Sequence, residues 1–381
     1  MVFIELALFA AGLLVLVRSS DIFVESAARL AKLFGISAFV IGLTIVAVGT
    51  SLPELATSID ASLKGESGIV VGTLIGSNIA NIGLILGLFV LVSGSMVVSK
   101  QVFDKDLFLM LVATLVFFYF ISDGVIGFLE GAVMFLMFVG YALFLLHFVP
   151  RFETIFNFPV FLKSFAGVGS FFLNVSVYKE ILRSGISPST YASLIRDEPD
   201  VFEKKFGKHL EGSERKNFLE KYKSEVLSRV ARHSLLLLFS LAGVIVGADL
   251  LVANTIVLAS IFGISSQLIS LTIIAVGTSL PELSVSISAV RKGVPGIFLG
   301  NIIGSNIANL LLIGGLSAIV APLVVPLAGV SLPLLFMILI SVFFWAAVFG
   351  SWKLTRAAGL GLFLVYAAFI YLLAMGYSLS V

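Results

Sequence analysis

Two copies of one six-residue motif carry carboxylates that could bind a cation. Gly49–Glu54 and Gly277–Glu282 both read Gly-Thr-Ser-Leu-Pro-Glu. The carbonyl of Ala47, a hydroxyl of Thr50 or Ser51 and the carboxylate recur at helical spacing, so their oxygens can share one helix face. Because proline has no N–H for the carbonyl four residues before it, the helix is expected to kink or break at the motif. Carbonyls freed there are further ligands for a hard cation.

A second duplicated motif could supply neutral oxygens to the same site. Gly76–Asn81 and Gly304–Asn309 both read Gly-Ser-Asn-Ile-Ala-Asn. In each copy the serine and the last asparagine are four residues apart and lie on one helix face. Helix packing through small residues would explain this motif alone equally well. Together the two motifs form an all-oxygen set, which suits Ca²⁺ and Na⁺ and not the soft metals that prefer sulfur or imidazole.

The two glutamates point most directly to a functional site. An ionised carboxylate in the middle of a membrane span costs at least a few kcal/mol unless it is compensated. A kinked helix whose glutamate reaches towards the interface would explain one copy. The same costly residue, however, stands at the matching place in both copies, as Glu54 and Glu282. With two central acids and no basic residue in the motifs, the site is expected to favour cations over anions.

These motifs belong to an internal repeat. Adding 228 to the residue number aligns Asp21–Gly87 with Asp249–Gly315 without a gap, and about 39 of 67 positions are identical. Each copy contains five apolar runs. An odd number of spans predicts that the second copy crosses the membrane upside down relative to the first. Inverted repeats with a binding site at the midplane between them are typical of secondary transporters.

The composition is that of a membrane protein with one polar insertion. Of 381 residues, 59% are hydrophobic and 12% charged, a balance that excludes an ordinary soluble enzyme. The segment Val149–His233 holds 24 of the 46 charged residues. There are no cysteines, so disulfides and thiolate metal sites are excluded. A net charge of +2 does not indicate a nucleic acid partner.

Ten apolar runs are long enough to approach a bilayer span of about 20 residues. They centre near residues 3–29, 37–61, 68–93, 105–121, 125–148, 234–261, 265–289, 294–322, 328–349 and 357–378. The predicted fold is therefore an all-α integral membrane protein with ten transmembrane helices in two inverted five-helix repeats. The first repeat covers residues 1–148, a helical cytoplasmic insertion covers 149–233, and the second repeat covers 234–381.

The basic residues predict the orientation. With both termini external, 22 Lys and Arg residues fall on the cytoplasmic side and Lys64 alone faces outwards. The prediction is a multi-pass protein of the cell membrane, in contact with lipid. Within the insertion, Asn157–Val177 is interpreted as an interfacial segment, because an eleventh span would reverse the charge bias of the second repeat. Glu203–Arg232 is predicted to be an amphipathic helix. No protein partner of the insertion is predicted.

The paired motifs resemble the two alpha-repeats of the cation/calcium antiporter superfamily, most closely the prokaryotic sodium/calcium exchangers. The resemblance covers all ten spans and omits the insertion. It implies a five-plus-five inverted-repeat fold in which helices two, three, seven and eight bind ions while the oblique helices one and six slide across them. It also implies a transporter and not an enzyme, with Ca²⁺ and Na⁺ as transported ions and no cofactor.

By position, the resemblance assigns roles to twelve residues. Glu54 and Glu282 would be the central calcium ligands, helped by Thr50 and Thr278. Ser77 with the carbonyl of Ala47 would form one flanking sodium site, and Ser305 with the carbonyl of Ala275 the other. Ser51 and Ser279 would line the same region. Asn81 and Asn309 stand where some relatives carry an acid, which disfavours potassium dependence and leaves two formal negative charges.

These charges predict how the ions compete. One Ca²⁺ or two Na⁺ neutralise two carboxylates, and any further Na⁺ would be held by neutral oxygens. Neutralisation would let the gating helices slide in alternating access, whereas the doubly charged cavity would stay locked. A proton/calcium antiporter of the same superfamily and a calcium-permeable channel remain as alternatives. Dependence of the flux on a sodium gradient, on a proton gradient or on neither separates the three.

Overall fold

A computed structural model describes residues 2–34, 37–148, 213–261 and 279–375, almost all of them helical. The apolar runs form helices because a helix satisfies its backbone polar groups internally, as hydrocarbon requires. In the N-terminal half the helices are α1 (Val2–Phe34), α2 (Ala38–Thr50), α3 (Leu52–Leu63), α4 (Ser67–Ser93), α5 (Phe108–Ile121) and α6 (Phe128–Phe148). In the C-terminal half they are α7 (Ser213–Ile261), α8 (Leu280–Arg291), α9 (Pro295–Val320), α10 (Leu327–Val348) and α11 (Arg356–Ala374).

The element bounds follow the sequence repeat. Helices α3 and α8 are related by 228 residues at both ends, as the alignment of the two copies predicts. Four short strands link the halves: β1 (Ser95–Val97), β2 (Val125–Ile126), β3 (Leu323–Val324) and β4 (Lys353–Thr355). Strand β1 pairs antiparallel with β4, and β2 with β3. Since β1 corresponds to β3 and β2 to β4, the pairing is unchanged when the two copies are exchanged.

Eight of the ten predicted runs have the length and apolarity of a span in the described residues. Seven of these spans are single helices, and the eighth is the pair α2 and α3, bent by 44° where they meet. The predicted run at 105–121 corresponds to α5, which has only 14 residues because a π-helical segment, Phe103–Leu107, precedes it. The run at 265–289 is described only from Ser279 onwards. Ten spans therefore stay a prediction.

The insertion lies largely outside the described residues. The predicted interfacial segment Asn157–Val177 and the first ten residues of the predicted helix Glu203–Arg232 cannot be compared with the structure for that reason. The rest of that helix is confirmed from Ser213, as part of α7. Helix α7 has 49 residues and continues through His233 into the apolar span without a break.

Glycines let the long helices approach each other closely. Helices α1 and α7 pack along each other, and a Cβ on Gly12 would lie 2.9 Å from the backbone nitrogen of Leu251. Helix α9 packs against α2 in the same way. A Cβ on Gly304 would collide with the carbonyl oxygen of Leu43 and lie 2.7 Å from the Cβ of Ala47. Small residues at such contacts bring two backbones together, and this one places α9 beside the first Gly-Thr-Ser-Leu-Pro-Glu motif.

Candidate ion-binding site

The first motif breaks its helix as predicted. Helix α2 ends at Thr50, Ser51 has φ −86° and ψ 8°, and α3 begins at Leu52 with Pro53 in its first turn. Proline is tolerated there because the first N–H groups of a helix have no intrahelical partner. A π-helical segment, Gly42–Val46, lies just before the break. The second motif has the same geometry from Ser279 onwards, with φ −90° and ψ 7° at that residue.

The two glutamates lie buried near each other. Glu54 on α3 and Glu282 on α8 are each 1% exposed, and Glu54 lies within electrostatic range of Glu282. The hydroxyl of Ser51 donates to Oε1 of Glu282 at 3.2 Å, so the two sequence repeats meet here. Both oxygens of Glu54 and Oε2 of Glu282 have no hydrogen-bond partner among the described residues. The repeats thus bring together two carboxylates with oxygens free for a ligand.

Basic side chains do not neutralise these carboxylates in the described part of the chain. No Lys or Arg is buried there. The ion pairs link Arg29 and Lys292 to Glu25, and Lys64 to Asp60, all with exposed or half-buried side chains. Two buried carboxylates without a basic partner carry a desolvation cost that a bound cation would offset.

Several neutral side chains of the predicted set are buried without a described hydrogen-bond partner. The same part of the chain contains no group of three or more His, Cys, Asp or Glu that could hold a metal ion, so further ligands must be uncharged. The predicted residues with a buried side-chain polar atom that lacks a described partner are Ser77, Asn81, Ser279 and Asn309. Buried polar atoms are normally hydrogen-bonded. These unpartnered oxygens are therefore available to coordinate a cation.

The carbonyl of Ala47 is approached from the other repeat. The hydroxyl of Ser305 on α9 lies 3.5 Å from this carbonyl oxygen, and that of Thr50 lies 3.3 Å from it. The resemblance had paired Ala47 with Ser77, whose hydroxyl has no partner among the described residues. The pairing in the structure is different because α9 packs against α2, so the nearest serine comes from the opposite copy.

Three further polar residues at the site were missed. Asn301 on α9 is fully buried, and its Oδ1 lies 3.1 Å from the hydroxyl of Thr50. It precedes Ser305 and Asn309 at four-residue intervals, so the sequence did place it on the same helix face. It was not recognised because the first repeat has Thr73 at this position, so the asparagine is not duplicated. Ser58 and Ser286 are also buried and unpartnered, one turn beyond the two glutamates.

Two predicted ligands cannot be placed. Ala275 and Thr278, the second-copy counterparts of Ala47 and Thr50, lie outside the described residues. The other ten predicted residues are described. Five of these ten residues form a hydrogen bond with another predicted ligand or with Asn301: Ala47, Thr50, Ser51, Glu282 and Ser305.

Comparison with known proteins gives one consistent result. The family described as sodium/calcium exchanger protein matches residues 4–147 and 233–375. The chain is 36% identical over 373 residues to the sodium/calcium exchanger MaX1 of Methanosarcina acetivorans, covering 98% of this chain and 99% of that protein. It is 32% identical over 375 residues to the inner membrane protein YrbG of Escherichia coli, covering 98% and 97%.

A solved structure is similar along the whole chain. The sodium-calcium exchanger NCX_Mj, soaked with 10 mM Na⁺ and zero Ca²⁺, matches with a TM-score of 0.69 and 28% identity, covering 97% of this chain and 99% of that one. The apolar helices, the family match and this structural similarity agree, and the chain is a multi-pass membrane protein. It belongs to the sodium/calcium exchanger protein family.

Proposed function

We propose that this protein exchanges Ca²⁺ for Na⁺ across the membrane by alternating access. The observation that carries the proposal is the buried pair Glu54 and Glu282, contributed by different repeats and without a buried basic residue in the described chain. The names of its relatives support it, since MaX1 is a sodium/calcium exchanger and NCX_Mj has been soaked with Na⁺, Ca²⁺ and Sr²⁺.

The charge of the site sets the ion competition. One Ca²⁺ or two Na⁺ neutralise the two carboxylates, so both ions require the same oxygens. Further Na⁺ would use neutral oxygens such as the carbonyl of Ala47 and the hydroxyls of Thr50 and Ser305, which lie 3.3 Å and 3.5 Å from that carbonyl oxygen. An unneutralised pair of buried carboxylates is costly in a low-dielectric setting. The occupied site is therefore the one that can pass between the two sides.

The proposed architecture has ten spans in two inverted repeats. The matching bounds of α3 and α8 and the symmetric pairing of β1–β4 and β2–β3 support it. If each repeat adopted the conformation of the other, the same midplane oxygens would become accessible from the opposite side of the membrane. The bias of basic residues supports external termini and a cytoplasmic insertion at 149–233.

Calcium uptake into proteoliposomes under an outward sodium gradient tests this function. We expect uptake by the wild-type protein and a loss to background for Glu54→Gln and Glu282→Gln, because each variant removes half of the charge that binds Ca²⁺. Glu66→Gln, a change of an exposed carboxylate between α3 and α4, is the matched control and should transport normally.

The gradient arms of the same assay separate the alternatives. Uptake driven by a proton gradient in the absence of Na⁺ would identify a proton/calcium antiporter instead. Uptake that needs neither gradient would identify a channel. Normal transport by either glutamate variant would reject the proposed site.

A further inference from the structure

Asn301 lies where two helices of different repeats touch. It is on α9, one turn before Ser305, and its side chain is fully buried. Helix α9 can approach α2 here because Gly300 and Gly304 have no side chain, and a Cβ on Gly300 would collide with the carbonyl oxygen of Phe39. This contact brings Oδ1 of Asn301 to 3.1 Å from the hydroxyl of Thr50.

The hydroxyl of Thr50 has only one hydrogen, with two acceptors within 3.5 Å and the carboxylate of Glu282 also nearby. One acceptor is Oδ1 of Asn301, and the other is the carbonyl oxygen of Ala47 at 3.3 Å. If the hydrogen points to Ala47, it occupies a carbonyl lone pair that a cation would need. The carbonyl oxygen of Ala47 also accepts the backbone N–H of Ser51 at 3.1 Å and lies 3.5 Å from the hydroxyl of Ser305. If the hydrogen of Thr50 points to Asn301, this oxygen keeps its second lone pair, and the lone pairs of Thr50 are free for a cation.

The choice of an amide suits this task. An asparagine oxygen accepts a hydrogen bond without adding a third negative charge to the two carboxylates. Nδ2 of Asn301 has no hydrogen-bond partner among the described residues, so the bond with Thr50 is the described interaction of this buried amide. Leaving a buried amide nitrogen unpaired is costly. A residue that served only helix packing would not need this cost, so the bond made by the amide oxygen is the better explanation for an asparagine here.

We propose that Asn301 is a positioning residue for sodium: its amide oxygen accepts the hydroxyl hydrogen of Thr50 and so leaves Thr50 and the carbonyl of Ala47 to coordinate Na⁺. This inference rests on the proposed sodium/calcium exchange. It also makes the repeats unequal, because the first repeat has Thr73 where the second has Asn301. A threonine hydroxyl can donate as well as accept, so it orients a partner hydroxyl less strictly than an amide oxygen does.

The test compares Asn301→Leu with Asn301→Asp in the proteoliposome assay. Leucine has the same branched skeleton of four side-chain heavy atoms and removes the acceptor; aspartate keeps an acceptor at the same place. We expect the half-saturating Na⁺ concentration to rise about fivefold in Asn301→Leu, as for loss of one ordinary hydrogen bond, with a smaller change in the maximal rate. Asn301→Asp should bind Na⁺ more tightly than Asn301→Leu.

A merely structural role would reverse that order, because a buried leucine packs well whereas a buried extra carboxylate destabilises the fold. The second measurement is a double-mutant cycle. In a Thr50→Val background, Asn301→Leu should change the half-saturating Na⁺ concentration by less than twofold, since the hydroxyl to be oriented is gone. Additive effects of the two substitutions would overturn the proposal.

Asn254→Leu is the matched control. Asn254 is a buried asparagine on α7, and its amide donates to the carbonyl of Leu250 in its own helix at 2.6 Å. We expect it to leave the half-saturating Na⁺ concentration unchanged. If the wild-type protein shows no sodium-driven calcium flux, the proposed function fails. If it does and Asn301→Leu has normal sodium dependence, only the role of Asn301 fails.

Discussion

Helices α3 and α8 are copies in sequence, yet their ends are packed differently. Helix α8 contacts α1 through a row of polar residues spaced by four: Ser284 accepts from Ser20 at 2.8 Å, and Ser288 donates to Asp21 at 2.7 Å. Lys292, one turn further, donates to Glu25 at 3.2 Å. This row joins the long helix α1 to the helix that carries Glu282.

The corresponding positions of α3 are exposed. Asp60 and Lys64 stand where α8 has Ser288 and Lys292, and they pair with each other while 63% and 64% of their side chains stay exposed. Asp249, the counterpart of Asp21, is also exposed. The hydroxyl of Ser288 and the carboxylate of Asp21, which meet at the end of α8, thus correspond to two carboxylates, Asp60 and Asp249, at the end of α3. Like charges repel, so the two ends cannot close with equal stability.

The largest expected effect comes from giving α8, whose end is packed against α1, the aspartate that α3 has at the same position. In Ser288→Asp, two carboxylates would face each other across α1 and α8, at a cost of up to about 4 kcal/mol for a 4 Å pair at an effective dielectric constant of 20. We expect this contact to open. Because the chain has no cysteine, Ser284→Cys provides a single thiol at the interface, and its maleimide labelling rate should rise at least about tenfold.

Ser288→Asn is the control for that change, since it has a similar shape without the charge. Its labelling rate should stay within about threefold of the Ser284→Cys reference. Equal rates for the aspartate and asparagine variants would show that charge does not decide the packing of this end.

A smaller effect is expected from removing the carboxylate of the packed pair. Asp21→Ala deletes a hydrogen bond to a charged group, a type worth about 1.5–3 kcal/mol when buried, and the half-exposure of Asp21 lowers the expected loss to about 1 kcal/mol. The labelling rate at residue 284 should rise about fivefold. The counterpart change Asp249→Ala should have no effect on this rate, and a similar rise in both variants would contradict the difference between the ends.

The smallest effect is expected from the outermost ion pair. Glu25 contacts Arg29 and Lys292 with a side chain that is 49% exposed, and such pairs contribute about 0.2–1 kcal/mol. Glu25→Gln should raise labelling less than threefold, and high salt should abolish the difference by screening. Lys64→Gln, which breaks the exposed pair on α3, is the control. A salt-independent increase would mean that packing and not charge is lost.

Much of the fold followed from local rules. The break between Thr50 and Leu52 was predictable because Pro53 lacks an N–H, a property of one residue that needs no partner. The repeat offset predicted the matching bounds of α3 and α8 for a similar reason, since equal sequences have equal helix signals. Burial of Glu54 and Glu282 followed from their position inside long apolar runs.

The details of the site were harder to predict. The contact of Ser305 with Ala47 and that of Asn301 with Thr50 join residues more than 250 positions apart. Sequence spacing places a residue on a helix face but does not say which helix that face meets. Here the answer depends on Gly300 and Gly304, whose missing side chains let α9 lie against α2.

The sequence by itself determined an apolar, duplicated, helical chain with two acids and their neutral oxygens at matching places. That information is local, because hydrocarbon length, proline chemistry and helical periodicity each act within one segment. The tertiary structure alone decided that Asn301 and Ser305 of the second repeat contact Thr50 and Ala47 of the first. It also decided that α8 packs against α1 while the end of α3 stays exposed. Those outcomes depend on contacts between distant segments, where glycine surfaces and single charge differences such as Ser288 against Asp60 select one packing among several.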